Sequence, residues 1–144
     1  MKNLIDLYIW LHKEKVSLFV RRLPFSDSNT KSATICLHAK NKGVFIDGSR
    51  LQTRAEEKSA LAHECGHCAT GTTHQVSSPL DLVGRHEYKA DKWAAHYLIP
   101  PEELLQALED GCTEPWELAE RFGVAEDFIR RTEYIYQCEG IIPA

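Results

Sequence analysis

A chain of 144 residues, 43% hydrophobic and 26% charged, has the composition of an ordinary globular protein and the length of one domain with a real core. Its formal net charge of −4 gives no electrostatic footprint for nucleic acid. No apolar run approaches the roughly 20 residues that a membrane-crossing helix needs.

The opening MKNLIDLYIWLHKEK places Leu4, Leu7, Tyr8 and Leu11 at helical spacing, which predicts a helix over residues 3–13. With Asp6 inside it and no small-residue cleavage site after it, this stretch is expected to be an amphipathic helix rather than a signal peptide. VSLFVRRLP and ATICLHA are apolar and β-branched, and the polar loop FSDSNTKS separates them. KNKG is a turn signal before VFID, so ATICLHA and VFID are expected to form a hairpin. Thr53-x-x-Glu56 has the pattern of a capping box and Gly71 is a natural stop, which predicts a helix over about 54–70. A further helix is predicted over about 87–98, before Pro100-Pro101, and EELLQALED then runs to Gly111. PWELAERF and AEDFIRRTEYIY, parted by Gly123, complete the chain as a helical pair. The expected organisation is a single domain over 1–144: an N-terminal helix and sheet to residue 52, the helices of 53–111, and a helical tail from 112.

Two signals overlap in LAHECGHCATG. His63-Glu64-x-x-His67 has the spacing of a zinc hydrolase, and Cys65-x-x-Cys68 that of a dithiol or half a zinc knuckle. At 100° per residue, His63 and His67 lie about 40° apart, whereas Cys65 and Cys68 project about 200° and 140° away, so one ion cannot take both sets. The thiols also sit toward the C-terminal end of their helix, where the macrodipole disfavours thiolate. They are expected to pack in the core. All five cysteines, with Cys36, Cys112 and Cys138, are odd in number and scattered, as suits reduced thiols in the cytoplasm.

An H-E-x-x-H arises by chance in such a chain at about 3%, so the second helix decides. With Glu87 at zero on its wheel, Asp91 falls at about 40°, Leu98 at about 20° and Ala94 at about 340°, while Lys89, Lys92 and His96 lie opposite. Two carboxylates on an apolar face need a partner, because an unpaired buried charge costs several kcal/mol. Two imidazoles with Glu87 make a three-ligand zinc site whose fourth position is open, the catalytic form. Asp91 is then placed to accept from a histidine N–H, and Glu64 to carry a proton from water to a leaving amine. The alternative for the two acids is helix-start capping or surface pairing. His74 is a rival third ligand, seven positions after His67.

TRAEEKSALAHECGHCATG followed by EYKADKWAAHYLIPPEEL resembles the ImmA/IrrE metallo-endopeptidase family, with its A-H-E-(L)-G-H and E-x-E-A-(D/N)-x-F-A blocks, over about residues 40–105. The resemblance implies metal ligands at His63, His67 and Glu87, the catalytic glutamate at Glu64 and the following acid at Asp91. It implies an α+β, zincin-like fold, with a small antiparallel or mixed sheet packed on the active-site helix and a helical C-terminal part. It also implies a cytoplasmic zinc protease of prophage or mobile-element type that cleaves a helix-turn-helix repressor. Cys65, Lys89, Trp93 and Ile99 depart from the pattern.

VFID is the expected edge at which a peptide would add as a strand. Tyr88, His86 and His74 are candidates to stabilise an oxyanion. His12, His38 and His96 are expected to be surface or structural residues, and Trp10, Trp93 and Trp116 core aromatics. ELAERFGVAEDFIRRT has helix-turn-helix spacing through Ala119, Gly123 and Ile129, which leaves a DNA-binding regulator with a metal site as the alternative. Its second helix offers Arg130 and Arg131 beside Glu126, Asp127 and Glu133, too little positive charge for phosphate contacts. A metal-bound but inactive relative is the other alternative.

Overall fold

The computed structural model describes residues 1–20, 32–38, 41–72 and 80–144. The elements run α1 (Leu4–Lys13), β1 (Ser17–Val20), β2 (Ser32–His38), β3 (Asn41–Ile46), α2 (Arg54–Thr70), α3 (Leu80–Leu98), α4 (Pro101–Glu109), α5 (Pro115–Phe122) and α6 (Glu126–Cys138). The protein is therefore α+β, as expected. No helix among the described residues is long and apolar enough to cross a membrane.

The sheet is mixed, in the order β1-β3-β2. The expected hairpin is present: β2 pairs antiparallel with β3, Thr34 opposite Val44. β1 runs parallel to β3 on its other side, Leu18 opposite Val44. VFID thus lies on the central strand, with both ladders occupied, and cannot be the edge expected from the sequence. Parallel pairing between β1 and β3 leaves no local trace, since the partners are far apart in the chain. Among the described residues the outer strands are β1 and β2.

Thr53 caps α2 by accepting from the Glu56 N–H at 3.1 Å, and Glu56 returns a bond to the Gln52 N–H rather than to Thr53 itself. Gly71 ends the helix in the left-handed region at φ 64°. Helix α3 begins at Leu80, seven residues before the expected start. Gly84 weakens the local helical signal there. Glu87 consequently lies well inside the helix, and helix-start capping no longer accounts for it.

Helices α2 and α3 meet through small side chains in the core, with Ala62, Ala90, Ala94 and Ala95 buried beside Leu61, Cys65 and Leu98. Gly66 makes the closest approach: a Cβ there would lie 2.3 Å from the Ala90 carbonyl oxygen. Leu7 and Leu11 of α1 and Val44 and Ile46 of β3 close the same core. The helical pair α5–α6 is pinned to α2. The Lys58 ammonium donates to the Phe122 carbonyl at 2.7 Å, and the Ala125 N–H donates to Ser59 Oγ at 3.0 Å. Ala119 and Ile129 are buried and Gly123 is left-handed, as the helix-turn-helix spacing requires.

Trp10 and Trp93 pack with ring centroids 5.0 Å apart, and Trp93 stacks on Tyr97. Trp116 is 55% exposed and is not a core residue. It follows Pro115 in the first turn of α5, about 200° around the helix from buried Leu118. His12 is exposed. His96 is half-exposed and pairs with Glu139 at 2.9 Å. The side chains of Cys36 and His38 lie outside the described residues.

A candidate metal centre between α2 and α3

His63 and His67 stand one turn apart on α2, with ring centroids 4.7 Å apart. Each ring has a partner that settles its tautomer. His63 Nδ1 lies 2.7 Å from Asp91 Oδ1, and His67 Nδ1 lies 3.1 Å from the Thr72 carbonyl oxygen. Carboxylate and carbonyl oxygens only accept, so both Nδ1 atoms carry hydrogen and both Nε2 lone pairs are left for another partner. Those two Nε2 atoms are 3.1 Å apart. Glu87 closes the triangle, with Oε2 at 2.8 Å from His63 Nε2 and Oε1 at 3.0 Å from His67 Nε2.

Three electron-rich side chains converging in this way would be stabilised by a cation among them. Zinc–nitrogen bonds of about 2.0–2.1 Å place neighbouring corners of a tetrahedron roughly 3.3 Å apart, close to the separations observed. The residues fit a divalent ion: His63, His67 and Glu87 form a group that could hold a metal, their ligand atoms lying within 4.8 Å of one another. In the metal-free protein a proton takes this place. Burial by itself would lower the His63 pKa, but hydrogen bonds to Asp91 and Glu87 and the charge of Glu64 overcome it and raise it to about 10. Burial likewise opposes the Glu87 charge, yet the two imidazoles hold its carboxyl well below the usual carboxylate range.

The two acids are not equivalent. Asp91 is 18% exposed and faces His63, whereas Glu87, at 41%, points to the imidazoles and still opens to solvent. The inward face of α3 was expected to bury both. The open carboxylate leaves room for a small molecule beside the histidines.

Glu64 faces β2. Its Oε2 accepts from Ser32 Oγ at 2.9 Å and its Oε1 from Thr34 Oγ1 at 3.0 Å. The two hydroxyls alternate with Ala33 along the strand and so share one face of the sheet. A carboxylate oxygen has two lone-pair directions, so each oxygen keeps capacity for one further hydrogen.

Several residues at this centre carry no obvious sequence signal. Thr72 meets His67 Nδ1 with both its backbone carbonyl and its hydroxyl, each at 3.1 Å, after the left-handed turn at Gly71. Ser32 belongs to the stretch expected to be loop. Gly66, a poor helix residue between two candidate ligands, was the legible clue to a close backbone approach. Arg131 reaches the site from the far end of the chain, with Nε 3.5 Å from Asp91 Oδ1. Arg130 lies 3.8 Å from Glu126, and Arg131 is also 3.5 Å from Asp127.

Of the oxyanion candidates, Tyr88 borders a cleft of about 400 Å³ between α3 and α6 that also contains Glu87 and Asp91. His86 is half-buried on α3, outside the His63–His67–Glu87 group. His74 lies outside the described residues. Cys65 and Cys68 form no part of the group. Burial pushes both thiols up, Cys68 to about 11, which suits packing rather than redox chemistry.

No curated protein and no solved structure matches the chain. The family model described as IrrE N-terminal-like domain, Peptidase M78, matches residues 13–132. With a mixed sheet beside a helix that carries H-E-x-x-H, and a family model spanning most of its length, the chain belongs to the IrrE N-terminal-like family of M78 peptidases.

Proposed function

We propose that the protein is a zinc-dependent endopeptidase. One observation carries the reading. Both histidines spend their Nδ1 hydrogens on Asp91 and Thr72, so that two Nε2 lone pairs converge beside an open carboxylate. His63, His67 and Glu87 would hold the ion, and Asp91 and the Thr72 carbonyl would keep the two rings in register. Zinc, when bound, supplies Lewis acidity that brings water toward a pKa of about 7 and polarises a peptide carbonyl.

The chain's own residues do the rest. Glu64 would take a proton from the attacking water at a carboxylate oxygen and deliver it to the leaving amine. Ser32 and Thr34 hold the carboxylate in one rotamer while it does so. A peptide adding as a strand would pair with β2, the outer strand that carries these two hydroxyls, and would thereby lie across Glu64. The substrate we propose is a protein, a helix-turn-helix repressor of the prophage or mobile-element type. A DNA-binding role is less well supported, because Arg131 is turned toward Asp91 and both arginines of α6 have acidic neighbours.

The test is Glu64→Gln. Peptide cleavage is expected to fall by about 10²–10⁴-fold with zinc content unchanged. Equal cleavage by the variant would remove Glu64 from the chemistry. Absence of cleavage by the zinc-loaded wild type would instead favour a metal-bound, inactive relative.

A further inference from the structure

The geometry points to the cleft between α3 and α6 as a specificity pocket that takes an aromatic side chain of the substrate. The inference rests on the peptidase reading above. The cleft, about 400 Å³, lies in the range of ligand pockets, shares Glu87 with the metal group and is also lined by Asp91, the partner of His63, so a side chain seated there belongs to a residue close to the reacting bond.

Three features define what it would accept. The first is a gap. Gly84 lies inside α3, where glycine costs about 1 kcal/mol relative to alanine, and a Cβ at that position would meet nothing within 4 Å. The helix carries this cost at a place that keeps one end of the cleft open.

The second is exposed aromatic surface. Tyr88 on α3 and Tyr134 on α6 both line the cleft, and Tyr134 is 61% exposed. Ile135, fully buried, contributes to the same lining.

The third is balanced charge. Arg130 and Arg131 line the cleft, but each lies beside carboxylates: Glu126 for the first, Asp91 and Asp127 for the second. Two arginines against these three acids and Glu87 leave a deficit that a divalent ion would offset. An acidic or basic side chain therefore gains little. A neutral ring gains most, because the planar guanidinium groups and the phenol rings both offer stacking faces. Arg131 already lies over the Phe128 ring, its guanidinium carbon 5.8 Å from the centroid, which holds the plane in place.

The experiment uses the zinc-loaded full chain and blocked alanine-rich peptides with Phe, Glu or Ala placed in turn at each internal position. Wild type is expected to cut the Phe peptides at one fixed offset from the ring, with kcat/KM at least about tenfold above the Ala and Glu peptides. Gly84→Phe, which fills the gap, should bring the Phe peptides down to the Ala level while zinc content stays the same. If Gly84→Phe does not fold, Tyr134→Ala should lower the preference at least about threefold. Direct binding of the same peptides to zinc-loaded Glu64→Gln makes the pocket testable without turnover, and Phe peptides should again bind about tenfold more tightly than Ala. Phe-selective binding with no cleavage by wild type would overturn the peptidase reading and keep the pocket. Cleavage without a fixed offset, or with Glu preferred, would overturn the pocket and keep the reading. Neither binding nor cleavage would overturn both.

Discussion

Gly66→Ala should disable the metal site without touching any of its ligands. A Cβ at position 66 would lie 2.3 Å from the Ala90 carbonyl oxygen and 2.9 Å from the Ala90 carbonyl carbon. A carbon and a carbonyl oxygen rest about 3.3 Å apart at closest, so α3 must back away from α2 by roughly 1 Å. Glu87 lies one turn before Ala90 on α3 and moves with it, away from His63 and His67. Metal–ligand distances tolerate changes of only about 0.2 Å. Zinc affinity should therefore fall by about 100-fold, comparable to the loss of a supporting hydrogen bond or more. The fold itself is expected to survive. Overpacking of this kind costs about 1–3 kcal/mol, and the better helix propensity of alanine returns up to about 1 kcal/mol. Competition with a chromophoric chelator measures the affinity, and thermal unfolding of the metal-free variant measures the cost. A Gly66→Ala protein that bound zinc as tightly as wild type would show that the close approach of the two helices does not set the site.

Asp91→Asn keeps the shape of the residue that holds His63 but removes its charge, and zinc affinity should drop by about 10–100-fold as read by the same competition. Ser32→Ala with Thr34→Val removes both hydroxyls from Glu64; kcat on a peptide substrate should fall about tenfold or more, since hydrogen bonds to charged groups are worth about 1.5–3 kcal/mol, while zinc affinity stays unchanged. The His63 pKa is raised in the metal-free protein, from 6.5 to about 10, so its protonated ring stabilises that form fully below pH 6.5 and the contribution is lost as pH rises through 10. The metal-free melting temperature should fall over that window, with an upper bound of about 5 kcal/mol on the total. Zinc must displace the same proton, so its affinity should rise about tenfold per pH unit between pH 6 and 8. An affinity flat across that interval would contradict the protonated His63.

The centre was legible in the sequence wherever one element's own periodicity carried it. His63 and His67 fall one turn apart, Glu87 and Asp91 share a face of α3, and Thr53 and Gly71 mark the ends of α2, all from spacing alone. What escaped depended on contacts between distant segments or on groups without a side-chain signature. The central position of VFID requires a parallel partner from residues 17–20. The early start of α3 ran against the low propensity of Gly84. The His67 tautomer rests on a backbone carbonyl, and Arg131, which appears in sequence as a possible phosphate contact, is drawn to Asp91 by the packing of α6 against α3. The sense in which both acids point inward also needed the fold: α3 turns each toward a histidine, yet leaves Glu87 open to the cleft.

The central claim is that one metal ion joins α2 to α3 through His63, His67 and Glu87. Zinc content per chain, measured side by side for wild type, Glu87→Ala and His74→Ala after equilibration with limiting zinc, tests it most directly. One equivalent in the wild type and in His74→Ala, with loss in Glu87→Ala, is the predicted result. Loss of zinc in His74→Ala with full retention in Glu87→Ala would contradict it.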